Sequence, residues 1–583
     1  MTKFQLNYYK PKKILLEDLA KQAAEMNETY PPYDMSSFQS YHPLYKVFFE
    51  LNSSNYDSVA FNHRYHVVDL KTVWDSSQSE RVSREMFVKF APLLDPVRYL
   101  IGRYKSQPAL GLPSLDVKCH DKLETPHNAS YIDNFFCYLS NQLLHTHGFV
   151  HGIEYYGSYV GVQKKYRMNM ADDMDYLIQS DFFNENRGKL YELEHGENPF
   201  ANFGSRNNKN KLNIHGGSNV SHISLEEVVV DGSIIEESGE IETEESGEIE
   251  TEDCVYEKDS VASSEDSSND SEVNYSSEEE DEEEDEDEDE DDEEDDGEDD
   301  EEDEEEDDNE EHSEEDEDEE DEDEDDEDIP LNGYIYDFPV QMICLEKCQG
   351  TLDRLFLKRI LNIETAASAL FQVIMTLMAY QKAFSFTHND LHTNNIMYVE
   401  TQEEFIYYKV AGGKTYKVPT YGRIFKLIDF GRAIYRLQGR VFCSDSFAPG
   451  GDASTQYNCE PFMNEKKPRL DPNMSFDLCR LGCSIYDFIL EVEEEQSPDF
   501  EPDILQKTII DWVTDDNGKN ILYMKNGDER YPNFKLYKMI ARTVHKKTPE
   551  DQLTNPLFAS FETVESPPVG SLLIDINAIP SYI

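Results

Sequence analysis

Between Glu226 and Asp328 the chain lacks the composition for a folded core. These 103 residues hold 66 Asp and Glu and a single base, Lys258, for a net charge of −65. Glu278 to Asp328 alone has 47 acids in 51 residues, and upstream two identical tandem octads, Glu237 to Glu244 and Glu245 to Glu252, both read ESGEIETE. So little apolar surface does not offset the ordering entropy, and the like charges repel, so the run predicts disorder. Two octads are too short for a solenoid. The whole chain has 583 residues and a formal net charge of −73, which leaves only about −8 on the other 480 residues. That near-neutral remainder, rich in Tyr and Phe, is long enough for a two-lobed folded body.

The charge excludes a simple basic nucleic-acid binder and a protein drawn to anionic lipid, so neither direct nucleic-acid binding nor a membrane is expected. The acidic arm has two readings. One is a solubilising, solvated loop. The other is a docking arm for basic proteins through 226–328, or a pseudo-substrate, and that contact would be screened beyond about 8 Å at physiological salt. As a flexible chain the arm spans about 55 Å, at roughly 5–6 Å per square root of residue number, enough to reach most of its own domain. Ser276 and Ser277, directly before Glu278, are candidate sites for an acid-directed kinase.

Residues 1–13 are polar and lysine-bearing with no apolar signal core, so secretion is not expected. The longest apolar helical stretch, Ala366 to Tyr380, contains Gln372 and is short for a membrane span, so it reads as a buried core helix. Nine scattered cysteines without CxxC spacing fit reduced thiols in a cytoplasmic compartment.

Periodicity predicts a short helix near Ile14 to Met26, strands from Val59 to Asp95 ending in Met86 to Phe90, and a helix over Asn128 to Leu144 capped by Asn128 or Ser130. Strands follow over Phe149 to Gln163 and, beyond the insert, Tyr334 to Glu346. Next come a helix at Thr351 to Ile360, a long one at Thr365 to Phe384, strands from Ile396 to Asp429 with a Gly412-Gly413 turn, and a helical final third, Ser475 to Phe561. The fold class is α+β, two-lobed, with a strand-rich part followed by a helical one.

Chemistry concentrates in His388-Asn389-Asp390-Leu391-His392-Thr393-Asn394-Asn395, followed 34 residues later by Asp429-Phe430-Gly431. In this order and spacing, each beside a short apolar strand, the two motifs resemble the catalytic loop and metal-binding triplet of the protein kinase superfamily. The resemblance implies ATP and Mg2+ (or Mn2+) as cofactors. It places Asp390 as the catalytic carboxylate that orients the attacking hydroxyl, with Asn395 and Asp429 as metal ligands. Gly431 would let the chain turn after the metal ligand, and His388 and Phe430 would support the site.

The resemblance also implies a phosphate-binding lysine, supplied by Lys89 in the apolar strand Phe87 to Phe90. Leu345 falls in the gatekeeper position, and the backbone of Glu346 and Cys348 falls where a hinge would meet adenine. Ser475 to Cys483 resembles a large helix of protein kinases in which the residue matching Asp477 holds the catalytic-loop backbone. Phe87 to Pro96, His388 to Asn395 and Phe447 to Asp452 most closely resemble kinase-like proteins of large cytoplasmic DNA viruses, which implies host cytoplasm or virion. On this scheme residues 1–55 are an N-terminal extension, 56–201 the first part of the N-lobe, and 202–332 the insert. Residues 333–350 are the hinge strand and hinge, 351–561 the C-lobe, and 562–583 a tail.

Four features depart from the family pattern. No glycine precedes Gly102, so the glycine-rich phosphate loop is missing. The helix Asn128 to Leu144 has no Glu for Lys89; its only acid, Asp133, is one methylene shorter, which predicts a weak or water-bridged pair. Asn389 replaces the arginine that would read a phosphorylated activation segment, so that control is expected to be absent. No A-P-E motif closes the segment after Asp429. Three functional readings stand: an atypical Ser/Thr-type protein kinase of unknown protein substrate, a pseudokinase scaffold using the acidic arm, and a small-molecule kinase, to which the His392 position is common.

Overall fold

The computed structural model describes residues 3–11, 16–25, 32–104, 111–171, 173–194, 331–490, 500–525, 527–532 and 534–583. Contacts divide the chain into two units, Met1–Gly247 with Pro330–Ile583, and Glu248–Ile329; every described residue belongs to the first. The acidic run, the octads, Ser276, Ser277 and nearly all of the 202–332 insert lie outside the described residues.

The architecture is mixed α+β, strand-rich up to Glu346 and richer in helices after it. Its central sheet is antiparallel and has five strands: β1 (Met35–Gln39), β2 (Met86–Pro92), β3 (Tyr155–Asn169), β4 (Tyr191–Leu193) and β5 (Asn332–Glu346). The order is β1-β3-β5-β2, with β4 on β5 beyond the end of β2. β1 reaches β3 because residue 161 is glycine: a Cβ there would lie 2.7 Å from the Ser37 carbonyl oxygen. Residues 1–55, an extension by sequence, thus supply an edge strand, and Tyr8–Tyr9 pairs with Ala60–Phe61. Likewise Leu572–Asp575, in the sequence-level tail, pairs in parallel with Phe405–Lys409, and Tyr582 is buried.

β3 begins six residues later than periodicity predicts. Gly148 ends the preceding helix in a left-handed conformation (φ 64°), and the turn at Gly152 packs so closely that a Cβ would lie 2.5 Å from the Ser140 carbonyl oxygen. That helix, α1 (Ala129–His147), is capped by the Asn128 side chain, which accepts from Ser130 N–H. It packs against α2 (Ile363–Phe384) through aromatic rings: Phe136 lies 5.0 Å from Tyr380 and 5.7 Å from Phe384. Among the described residues α2 is the one helix long and apolar enough to cross a membrane, yet 78% of that apolar window is buried inside the protein. Two further helices matter for the site, α3 (Phe476–Ile489) and α4 (Lys535–Thr543).

Eight cysteines in the described residues are free thiols, seven of them buried. The His42 ring is also fully buried, 3.9 Å from Tyr45 and 5.3 Å from Tyr131, with neither nitrogen partnered. Burial lowers its pKa from 6.5 to about 3. The unfolded chain therefore binds a proton between pH 6.5 and 3 that the fold refuses, so stability present above 6.5 falls as pH drops through that window. The expected loss attributable to His42 at pH 4 is roughly 3 kcal/mol, at about 1.4 kcal/mol per pKa unit. Urea titrations at pH 7 and pH 4 on wild type and His42→Phe check it: the variant should lose that much less on acidification.

Candidate functional site

Lys89 lies on the strand that borders β5, its ammonium group almost fully buried. Nζ donates to Asp133 Oδ2 at 2.8 Å and sits 3.0 Å from Asp429 Oδ1. Burial alone would lower the Lys89 pKa, but the two carboxylates raise it well above the ordinary value, so the cation persists. The contact with Asp133 is direct, not water-bridged as the short side chain suggests. α1 packs close enough that a methylene more is not needed, and Asp133 Oδ1 also accepts from Phe430 N–H at 2.8 Å. Asp133 thereby fixes Lys89 and the Asp429-Phe430-Gly431 backbone together.

The left-handed backbone at this triplet belongs to Asp429 (φ 60°), not to Gly431, which is absent from the positive-φ glycines. The Asp429 N-terminal neighbour, Ile428, donates its N–H to the Asn395 carbonyl at 3.0 Å. Phe430 is buried among Phe136 (4.7 Å), His388 (5.6 Å) and Phe386 (5.9 Å), so the triplet is anchored to α1 and to the His388–Asn395 loop at once.

That loop is held from beneath. Asp477, at the start of α3 and fully buried, accepts from the backbone N–H groups of His388 and Asn389, both at 2.9 Å. Burial pushes its pKa up, while the His388 charge and these hydrogen bonds oppose the rise. His388 Nε2 donates to the Ile428 carbonyl at 2.9 Å. Asn389 takes a left-handed backbone (φ 62°), which asparagine tolerates, and its amide ties Thr387, Arg432 and Tyr457 together. Asn395 Nδ2 donates to the Asp390 carbonyl at 2.9 Å, which fixes the orientation of its Oδ1.

The Asp390 carboxylate is reached by residues the motifs did not indicate. Tyr537 of α4 donates to Asp390 Oδ1 at 2.8 Å and accepts from Arg480 Nε at 2.9 Å. Burial would raise the Asp390 pKa, yet the charges of Arg432, His392 and Arg480, with the Tyr537 bond, hold it well below the usual carboxylate range. Asp390 is thus an ionised acceptor with one oxygen already engaged. Arg432, directly after Gly431, pairs with Asp452. An arginine adjoining the triplet was the sequence signal for this cluster; Tyr537 and Arg480 carried none, because only tertiary packing brings α3 and α4 to the loop.

At the end of β5, Leu345 is buried opposite Phe87 and Tyr155. Glu346 N–H is taken by the Glu154 carbonyl at 3.0 Å, because a register shift between Cys344 and Leu345 realigns β5 on β3; this N–H is not open to a ligand as the sequence scheme has it. The Glu346 carboxylate instead accepts from Lys426 Nζ (2.5 Å) and Glu154 N–H (2.7 Å). Cys348 lies outside the ladder, and its backbone N–H and carbonyl make no hydrogen bond among the described residues. Burial, reinforced by Glu346, raises its thiol pKa to about 12, so it is an inert neutral thiol.

Upstream of Lys89, in place of a glycine-rich turn, Ser76 to Ser79 joins the strands Thr72–Asp75 and Glu80–Ser83. The turn is built on Asp75, whose Oδ1 accepts from Ser77 N–H (2.8 Å) and Ser77 Oγ (2.6 Å) and whose Oδ2 pairs with Arg64 at 2.8 Å.

Asn395 and Asp429 offer a hard amide oxygen and a carboxylate. That set suits Mg2+, which takes one or two protein oxygens and fills its octahedron with water and phosphate. Among the described residues no three His, Cys, Asp or Glu gather to hold a metal unaided. No family model matches the chain, and no curated protein matches it.

Proposed function

We propose that the chain is an ATP- and Mg2+-dependent phosphotransferase, a Ser/Thr-type protein kinase atypical in its nucleotide turn, with a kinase-like two-lobed fold. The observation that carries this reading is the convergence of Lys89, Asp133 and Asp429 on one buried ion cluster, hydrogen-bonded onward through Phe430. Residues 340 positions apart in sequence meet there with complementary charge. The strand order around Lys89, the Asp477 anchor under His388 and Asn389, and the Asn395 bond to Asp390 support the same reading.

In this mechanism Lys89 is a fixed cation for the phosphates, and Asn395 Oδ1 with the Asp429 carboxylate would hold the magnesium. ATP, where bound, would supply the γ-phosphoryl group, which would pass to the acceptor oxygen as its bond to the β–γ bridging oxygen breaks, leaving ADP. Asp390, kept ionised by its arginines and with Oδ1 engaged by Tyr537, uses its other oxygen to orient the acceptor hydroxyl and take its proton. Asp477 keeps the loop that carries Asp390 in one conformation. Free buried thiols fit a reducing, cytoplasmic setting.

A second reading, a pseudokinase scaffold, draws on the Asp75-built serine turn, where side chains replace the glycines that let backbone approach phosphate. Radiolabel transfer from ATP with Mg2+ or Mn2+ separates the two. Wild type is expected to label a protein acceptor, and Asp390→Asn and Asp429→Ala to fall to background. Equal label in all three would indicate a contaminant and favour the scaffold.

A further inference from the structure

Two arginines flank the Asp390 carboxylate in a way that neither motif requires. Arg432 is 3% exposed and Arg480 2% exposed, yet Arg432 Nε, Arg432 Nη1 and Arg480 Nη1 have no hydrogen-bond partner. Both guanidinium groups stack on Tyr537, with Cζ 5.6 Å and 5.1 Å from its ring centre. Leaving such donors unpaired is costly, and a core selected for stability alone would fill them. The remaining Arg432 nitrogen, Nη2, is paired with Asp452, whose side chain is 31% exposed.

The group to which Arg432 already donates is therefore a carboxylate of its own chain, Asp452, that is partly open to solvent. A guanidinium fork with spare N–H donors favours a bidentate oxyanion over the single contact Asp452 makes. Both guanidinium charges act on the Asp390 carboxylate, so on the phosphotransferase reading an acceptor hydroxyl at Asp390 sits near these two cations. A lysine- or arginine-rich acceptor would be repelled there, and an acidic one attracted.

The geometry points to an acidic peptide as the acceptor: a Ser or Thr hydroxyl is presented to Asp390 while a neighbouring Asp, Glu or phosphorylated residue displaces Asp452 from Arg432. Asp452 is then the internal occupant of an anion site at Arg432, with the Arg480 charge on the Tyr537 ring contributing to the positive field at Asp390. This inference rests on the phosphotransferase reading and names its substrate class.

The test uses the full chain and two peptides, one with a Ser followed by four Glu and the other with four Lys, each followed by fluorescence anisotropy and by transfer from Mg-ATP. The acidic peptide is expected to exceed the basic one at least tenfold in kcat/KM. Asp452→Asn should lower its KM and its dissociation constant three- to tenfold, and Arg432→Gln should erase the preference. Because Arg432→Gln could unfold, Asp452→Asn, which alters a surface carboxylate, decides by itself. Transfer that favours the basic peptide, acidic-peptide binding that ignores Asp452→Asn, or no binding of either peptide overturns the anion site. Acidic-peptide binding tightened by Asp452→Asn without any transfer would leave the anion site standing and sink the phosphotransferase reading instead.

Discussion

Asp133→Ala is expected to destabilise the fold by about 3–5 kcal/mol, the range for removing one partner of a buried ion pair. The loss has two parts. Lys89 keeps its charge but retains only Asp429 as a partner, and the Phe430 N–H loses its acceptor in the protein interior. Asp133→Asn keeps an oxygen for Phe430 and should recover part of the loss. Asp133→Glu should not improve on wild type: the short carboxylate already touches Lys89 at 2.8 Å, and an added methylene must be packed into a filled space at a cost of about 1–3 kcal/mol. Urea midpoints at pH 7 for the three variants check the order. A Glu variant more stable than wild type would mean that α1 stands farther from Lys89 than described.

The second large effect concerns the anchor beneath the loop. Asp477→Ala leaves two adjacent N–H groups, of His388 and Asn389, buried and unpaired. Each bond to a charged acceptor is worth about 1.5–3 kcal/mol, so a loss of roughly 3–6 kcal/mol is expected. Asp477→Asn can accept with one oxygen only and turns an NH2 toward a donor, so it should fall between the two. Amide exchange gives a local readout: the His388 and Asn389 amides, whose acceptors are the Asp477 oxygens, should lose protection more than those of α2. Uniform loss across both would show that the anchor supports the whole fold and not the loop in particular.

Much of the site was legible because its chemistry sits in short local patterns. Asp390, Asn395, Asp429 and Asp477 each stand at a fixed offset from an apolar strand or helix start. Lys89 was found through the resemblance, which asks for a lysine in an apolar strand; Lys426 in Arg423–Leu427 sits in an equally apolar strand, and only the structure shows that its side chain clamps Glu346 at the end of β5. Asp133 was legible as the only acid of its helix, but its reach was not, because helix-to-sheet distance is a property of packing. Arg480 and Tyr537 were hidden for another reason. The α4 sequence reads as an ordinary amphipathic helix, and nothing local tells which of its faces meets the loop. The edge strand from Met35–Gln39 and the parallel strand Leu572–Asp575 were missed because four or five residues carry too little periodicity to be read.

The two ends of described chain that flank residues 195–330 lie side by side: Glu194 N–H donates to the Asn332 carbonyl at 2.9 Å, and β4 pairs with the first residues of β5. A segment whose exits are already joined imposes almost no geometric demand on its own length. Doubling it raises the entropic cost of closure by only about 0.6 kcal/mol. Whole repeats gained or lost in frame within residues 195–330 are therefore expected to leave this pairing in place. Length variation should therefore collect here, and deleting the segment down to a few glycines should leave the melting of the rest unchanged.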